Sequence, residues 1–146
     1  SRHHHAGTRD HSMIVVQLVT ADAVAHDTEF RVVVLQEPMT LYRGGFGPTH
    51  VMEAMQSNFQ AGRSPHPQDL RATVLHMAVS MFERFDVVRS ICARRPERAG
   101  THVITIRLQP GHGVCIARTG GAGLVRVGAP LTLAGFVVDV VGITER

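Results

Sequence analysis

From His102 onward, short β-branched apolar runs are cut by clusters of glycine and proline, and this punctuation limits the fold more than any other property of the chain. The clusters are Pro110-Gly111-His112-Gly113, Thr119-Gly120-Gly121-Ala122-Gly123 and Gly128-Ala129-Pro130. Parallel strands need crossovers of about a dozen residues or more, whereas antiparallel strands close through tight turns. Turns this frequent therefore predict antiparallel pairing. His102, Ile104, Ile106 and Leu108 alternate with Val103, Thr105 and Arg107, the period of a strand. Val114 to Arg118, Leu124 to Val127, and Leu131 to Val141 complete the group, the last as a long strand or a hairpin folding near Gly135.

The other end of the chain also reads as strand. Ile14 to Thr20 and Phe30 to Gln36 are short, β-branched and apolar on both faces, Pro38 ends the second run, and Met39 to Tyr42 adds a brief third. Past Gly44-Gly45-Phe46-Gly47-Pro48 the period turns helical. Val51, Met52, Met55 and Phe59 form one stripe, with Pro48 in the first turn and Gly62 at the end. A second helical stripe joins Leu70, Val74, Met77, Ala78, Met81, Phe82 and Phe85. These readings predict an α+β fold in the order ββααββββ, with two consecutive helices packed on one face of a mainly antiparallel sheet. The element order is similar to that of the tunnelling-fold proteins, and the resemblance implies a purine- or pterin-like ligand.

The chain has 146 residues, enough for one compact core. Ser1 to Ser12 carry four of the ten histidines and no apolar periodicity. They read as an appended tail, with Met13 as the start of a single domain over 13–146. No apolar run reaches the ~20 residues that span a bilayer, and the start lacks the features of a secretion signal, so a cytoplasmic location is expected.

All fifteen basic side chains are arginine; there is no lysine. Schiff-base chemistry, a phosphate-loop lysine and a lysine general base are thereby excluded. Guanidinium remains, permanently charged and suited to carboxylates and phosphates. Setting aside Arg2, Arg9 and Asp10 lowers the formal net charge from +3 to +2, too little to suggest a dedicated nucleic-acid binder.

The segment Arg43-Gly44-Gly45-Phe46-Gly47-Pro48-Thr49-His50 is the strongest candidate site. It reads as a glycine turn that brings Arg43 and the backbone N–H groups of Gly44, Gly45 and Gly47 to a helix N-terminus, where anions are favoured. Thr49 adds a hydrogen bond, and His50, kept neutral there, is the candidate catalytic proton carrier. The segment resembles the pyrophosphate loop of acetyl-CoA-dependent N-acetyltransferases, but Phe46 and Pro48 stand where that family places glycine and a small residue. Leu41-Tyr42-Arg43-Gly44 resembles the arginine strand of ADP-ribosyltransferases, whose Ser-Thr-Ser strand and Glu-x-Glu pair are missing. Neither activity is carried over, and the sequence specifies no cofactor.

Arg118 to Gly123 reads as a flexible hairpin and Arg94 to Arg98 as a solvated loop. Cys92 and Cys115, flanked by apolar residues, are expected as buried inert thiols, and no spacing of histidine and cysteine predicts a metal site. Three functions are compatible with this reading. The first is an enzyme or binding protein for an anionic or heterocyclic small molecule of phosphate, nucleotide or purine type. The second is a non-catalytic module for homo-oligomerisation or protein interaction, and the third is RNA binding through the Arg94 to Arg107 surface. Two-sided apolar strands also predict a homo-oligomer that buries an open sheet face or edge.

Overall fold

The computed structural model describes residues 32–58, 60–62, 78–118, 123–129 and 133–144. Among these described residues seven strands form one sheet: β1 (Val33–Val34), β2 (Met39–Gly45), β3 (Val79–Phe82), β4 (His102–Leu108), β5 (Cys115–Arg118), β6 (Leu124–Gly128) and β7 (Val137–Gly142). Their order across the sheet is β1-β5-β6-β3-β2-β4-β7, and every neighbouring pair is antiparallel. Three short helices accompany them among the described residues: α1 (Val51–Ala54), α2 (Phe85–Arg94) and α3 (Pro96–Ala99). The fold is α+β with a mainly antiparallel sheet, as the turn pattern predicts.

The connections show how strongly this sheet must twist. β4 and β5 lie four places apart and, through four antiparallel steps, share one direction, yet only residues 109–114 join them. In a flat sheet so short a link could not return along β4 and also cross about 19 Å at ~4.8 Å per strand. A twist of about 20–25° per step turns β5 through roughly 80–100° relative to β4, so the end of one approaches the start of the other at a corner. β6 and β7 are related in the same way, and a 3₁₀ turn at Leu133–Phe136 leads into β7. Leu133 of that turn is buried in the same core as Leu41, Ile104, Ile106, Leu108, Val125 and Val127.

The opposite side of the sheet is covered by α2. Its first turn carries Asp86, which takes both Arg84 Nε and Nη2, and Val88 and Cys92, four residues apart, face the sheet. They pack on Val103 of β4, with Tyr42, Phe82 and Ala99 around them. The edge of the Tyr42 ring meets Phe85 at 5.8 Å between centroids.

Several expectations are corrected. Met81 and Phe82 lie on β3, where Val79 and Met81 are buried and Ser80 and Phe82 are not, a period of two rather than 3.6. Helix α2 begins only at Phe85, and the order among the described residues is ββαβααββββ. Residues 63–77, with the earlier part of that expected helix, fall outside the described residues, as do the strand at Ile14 to Thr20 and Phe59. The helix after Pro48 is a single turn, and Met52, placed on its apolar stripe by sequence, is exposed. Arg94 to Arg98 is no loop: it ends α2 and forms α3, with Pro96 at the first position. The helices do not share a face. Met55, just after α1, joins the Leu41 core, whereas Cys92 and Ala99 abut the other side of β2.

Candidate functional site

The site is organised by β2. Met39, Leu41, Arg43 and Gly45 project towards Ile104, Ile106 and Leu108, while Thr40, Tyr42 and Gly44 project towards α2. Seven register pairs tie β2 to β4, but β2 and β3 pair only at Tyr42 and Phe82. Beyond that pair the ladder stops, and the Arg43 side chain bridges the opening. Arg43 Nη1 donates to the Ser80 carbonyl at 2.7 Å, and Nε donates to the Ala54 carbonyl at the end of α1 at 2.6 Å.

Burial lowers the pKa of Arg43 from its ordinary value, and Arg126 lowers it further. Arg126 reaches the same place from β6, where its Nη1 donates to the Ser80 hydroxyl. Among the described residues Arg43 has no carboxylate partner. The half-buried guanidinium, held by two neutral carbonyls, has no opposite charge beside it among the described residues.

The glycines beside Arg43 have a different purpose from the one the sequence suggested. Gly44 and Gly45 are not in a turn but in β2, opposite Val103 and His102. A Cβ on Gly44 would lie 2.1 Å from the Ala99 carbonyl oxygen and 2.9 Å from Cys92 Sγ, and one on Gly45 would lie 2.5 Å from Ile104 Cδ1. The bareness of Gly44 lets α3 and the end of α2 press directly on the strand, and that of Gly45 leaves room for Ile104 on the other face. The Gly45 carbonyl also accepts from Thr101 N at 2.8 Å. The turn itself belongs to Gly47, at φ 119°, whose carbonyl accepts from His50 N at 3.1 Å. Thr49 Oγ1 lies 3.1 Å from His50 Nδ1. Because α1 is one turn long, few peptide dipoles add behind Thr49 and His50.

Arg43 and His50 share a cavity of about 480 Å³ that opens where β2 and β3 part. Gly44 and Gly45 line it as well; Gly47 and Thr49 do not. On the α1 side its wall is polar, with Gln56, Ser57 and Asn58. On the α2 side Phe82, Val88, Ile91, Cys92 and Ala99 give it an apolar stretch, with Ser80 and Arg98 beside them. His50, Glu53 and Arg98 are exposed members of the lining. Ser57 is buried and engaged reciprocally with Gln60: its N–H donates to Gln60 Oε1 at 3.0 Å and its hydroxyl accepts from Gln60 N at 3.1 Å. The pair has the hydrogen bonds of a capping box, and its Ser-x-x-Gln pattern is legible in the sequence, where the apolar stripe overshadows it. The contributions of Ser80, Val88 and Ile91 carried no such signal, since they depend on β3 and α2 meeting β2.

Cys92 and Cys115 are buried free thiols, and burial raises the pKa of both. Cys92 Sγ is further directed at the carbonyls of Ala99 and His102. Among the described residues no group of three or more His, Cys, Asp or Glu is placed to hold a metal ion, and no described helix is long and apolar enough to cross a membrane. Arg94, Arg95 and Arg98 are exposed at the α2–α3 junction, whereas Arg107 lies on β4 and donates to Thr40 Oγ1 at 2.7 Å. No family model, curated protein or solved structure matches the chain.

Proposed function

We propose that this protein binds an anionic small molecule in the cavity between β2, β3, α1 and α2, with Arg43 as the cation that receives it. The observation that carries the reading is the Arg43 guanidinium, half-buried in the cavity wall, held by two carbonyls and without a carboxylate partner among the described residues. An incoming carboxylate or phosphate would supply the missing charge through forked hydrogen bonds. The cavity also has the size of a small-molecule site, which commonly falls at about 300–1,000 Å³. His50, whose Nδ1 lies against the Thr49 hydroxyl, keeps Nε2 for a ligand and is the proton carrier of the proposal. Gly44 and Gly45 contribute by making room rather than by donating to the anion.

A thermal-shift series with phosphate, nucleotides, coenzyme A, purines and simple carboxylates tests the reading. A ligand at ten times its Kd adds about 1.4 kcal/mol to native stability, or a midpoint rise of about 3–6 °C for a chain of this size. The rise is expected for anions and not for neutral purines, and it disappears in Arg43→Gln. A flat response to every anion would remove the proposal.

Self-association is a second reading, favoured by β1. Val33 and Val34 on this edge strand are 43% and 48% exposed, and β5 is its sole strand partner among the described residues. The β7 edge is less suited to pairing: the register slips between Thr105 and Ile106, which leaves Val138 as a bulge next to the exposed Asp139. Light scattering decides this reading. A dimer that Val34→Lys converts to monomer supports it, and a concentration-independent monomer refutes it.

A further inference from the structure

The shape of the cavity narrows the class of anion. Helices α1 and α2 pack on opposite faces of β2, and both line the same cavity. The cavity is therefore lined from both faces of the sheet, at the gap where the β2–β3 ladder ends beyond Tyr42 and Phe82. Its two ends differ in chemistry. Arg43, Ser57 and Asn58 belong to the α1 end, and Phe82, Val88, Ile91 and Ala99 to the α2 end.

The hydrogen bonds of Arg43 fix how an anion meets it. Of the five guanidinium N–H groups, Nε–H is committed to Ala54 and one Nη1–H to Ser80. The edge formed by Nε and Nη2 is thus half used. The remaining Nη1–H and the two Nη2–H groups are left for a ligand, donors enough for one carboxylate. A single head group there leaves the rest of the ligand to run past Phe82, Val88 and Ile91, which offer it no hydrogen bonds, with Ser80 and Arg98 as the polar members of that side.

Resting on the anion-binding reading, we infer that the ligand is an amphipathic monocarboxylate, its carboxylate end-on to Arg43 and its unbranched apolar body lying through the β2–β3 gap against Phe82, Val88 and Ile91. The class is acyl carboxylates rather than nucleotides or inorganic anions. Exposed Arg98 and Glu53 stand at the rim and take no part in seating the head group.

Calorimetric titration of butyrate, hexanoate and octanoate, with inorganic phosphate alongside, tests this class. Each added methylene is expected to tighten binding about fourfold, the equivalent of ~0.8 kcal/mol for a buried CH₂. Ile91→Asn, on the partly buried apolar wall, flattens that series. Arg43→Gln abolishes binding throughout the series, and Arg43→Lys, which keeps a charge without the fork, restores it only in part. Urea unfolding of each variant shows that it is folded at the titration temperature. If butyrate or phosphate binds in an Arg43-dependent manner with no gain along the series, the acyl class is overturned and the anion site stands. If no carboxylate and no phosphate binds, both fall together.

Discussion

Replacing Gly44 with alanine puts one methyl group where the structure has no space for it. The new carbon would sit 2.1 Å from the Ala99 carbonyl oxygen, 2.9 Å from Cys92 Sγ and 3.1 Å from the Ala99 carbonyl carbon. Two opposing effects decide the outcome. Alanine relieves the entropic cost of a strand glycine, a gain of about 0.5–1 kcal/mol. Overpacking against a well-packed element costs about 1–3 kcal/mol and more when backbone rather than a side-chain tip must move. Here the obstacle is backbone, because Ala99 belongs to α3 and Gly100, at φ 117°, is itself pressed on Gly45. The clash therefore wins, and Gly44→Ala should lose about 2 kcal/mol. With a urea slope of about 2 kcal/mol/M, the midpoint falls by about 1 M with the slope unchanged. Gly135→Ala is the internal control, because its Cβ meets nothing within 4 Å. It should raise the midpoint by up to about 0.5 M, the entropic gain without the clash. A Gly44→Ala midpoint equal to or above the parent would refute the argument that these glycines exist for packing.

Two further perturbations follow from the same geometry. Ser57→Ala removes one half of the reciprocal pair with Gln60 and should cost about 1 kcal/mol in urea unfolding, with Ser57→Thr recovering part of it. The pH response follows from the thiols. Cys92 and Cys115 have folded-state pKa values raised by burial above the ordinary 9.0, so the unfolded chain releases their protons first as the pH climbs. The stability they contribute is fully present below about pH 9 and is lost as the pH rises through the folded values. Unfolding midpoints between pH 8 and 10.5 should decline, and Cys92→Ala should make the decline shallower; an identical slope would show that Cys92 does not ionise differently on unfolding.

What the sequence disclosed depended on whether one face of an element carried a clear period. At β4 the alternation of Ile104, Ile106 and Leu108 with Thr105 and Arg107 fixed both the strand and the side that enters the core. At Val79 to Phe82 no such choice was available. Met77, Ala78, Met81, Phe82 and Phe85 fit a helical stripe as well as Val79 and Met81 fit a strand, and tertiary pairing with Val127 and Val125 decided the matter. Gly44-Gly45 was read as a turn because glycine most often marks one; its use here is close approach, which only the partner at Ala99 reveals. The arginine chosen from the sequence does line the cavity, and so does His50. The reasons given for Arg43 were local, a turn and a helix end, whereas its environment is set by Ser80 on a strand 37 residues away and by Arg126.

The central claim is that Arg43 receives an anion, and side-chain NMR of the arginines addresses it directly. Arg43 Nε–H, buried and donating to Ala54, should exchange slowly enough to give a resolved resonance, assigned by its loss in Arg43→Gln. Titration with octanoate should move that one signal saturably while the exposed arginines stay within the small shifts caused by ionic strength. Saturable movement confined to Arg43 is the predicted result. A stationary Arg43 resonance at octanoate concentrations that saturate binding by calorimetry, or equal movement of the exposed arginines, would contradict the account.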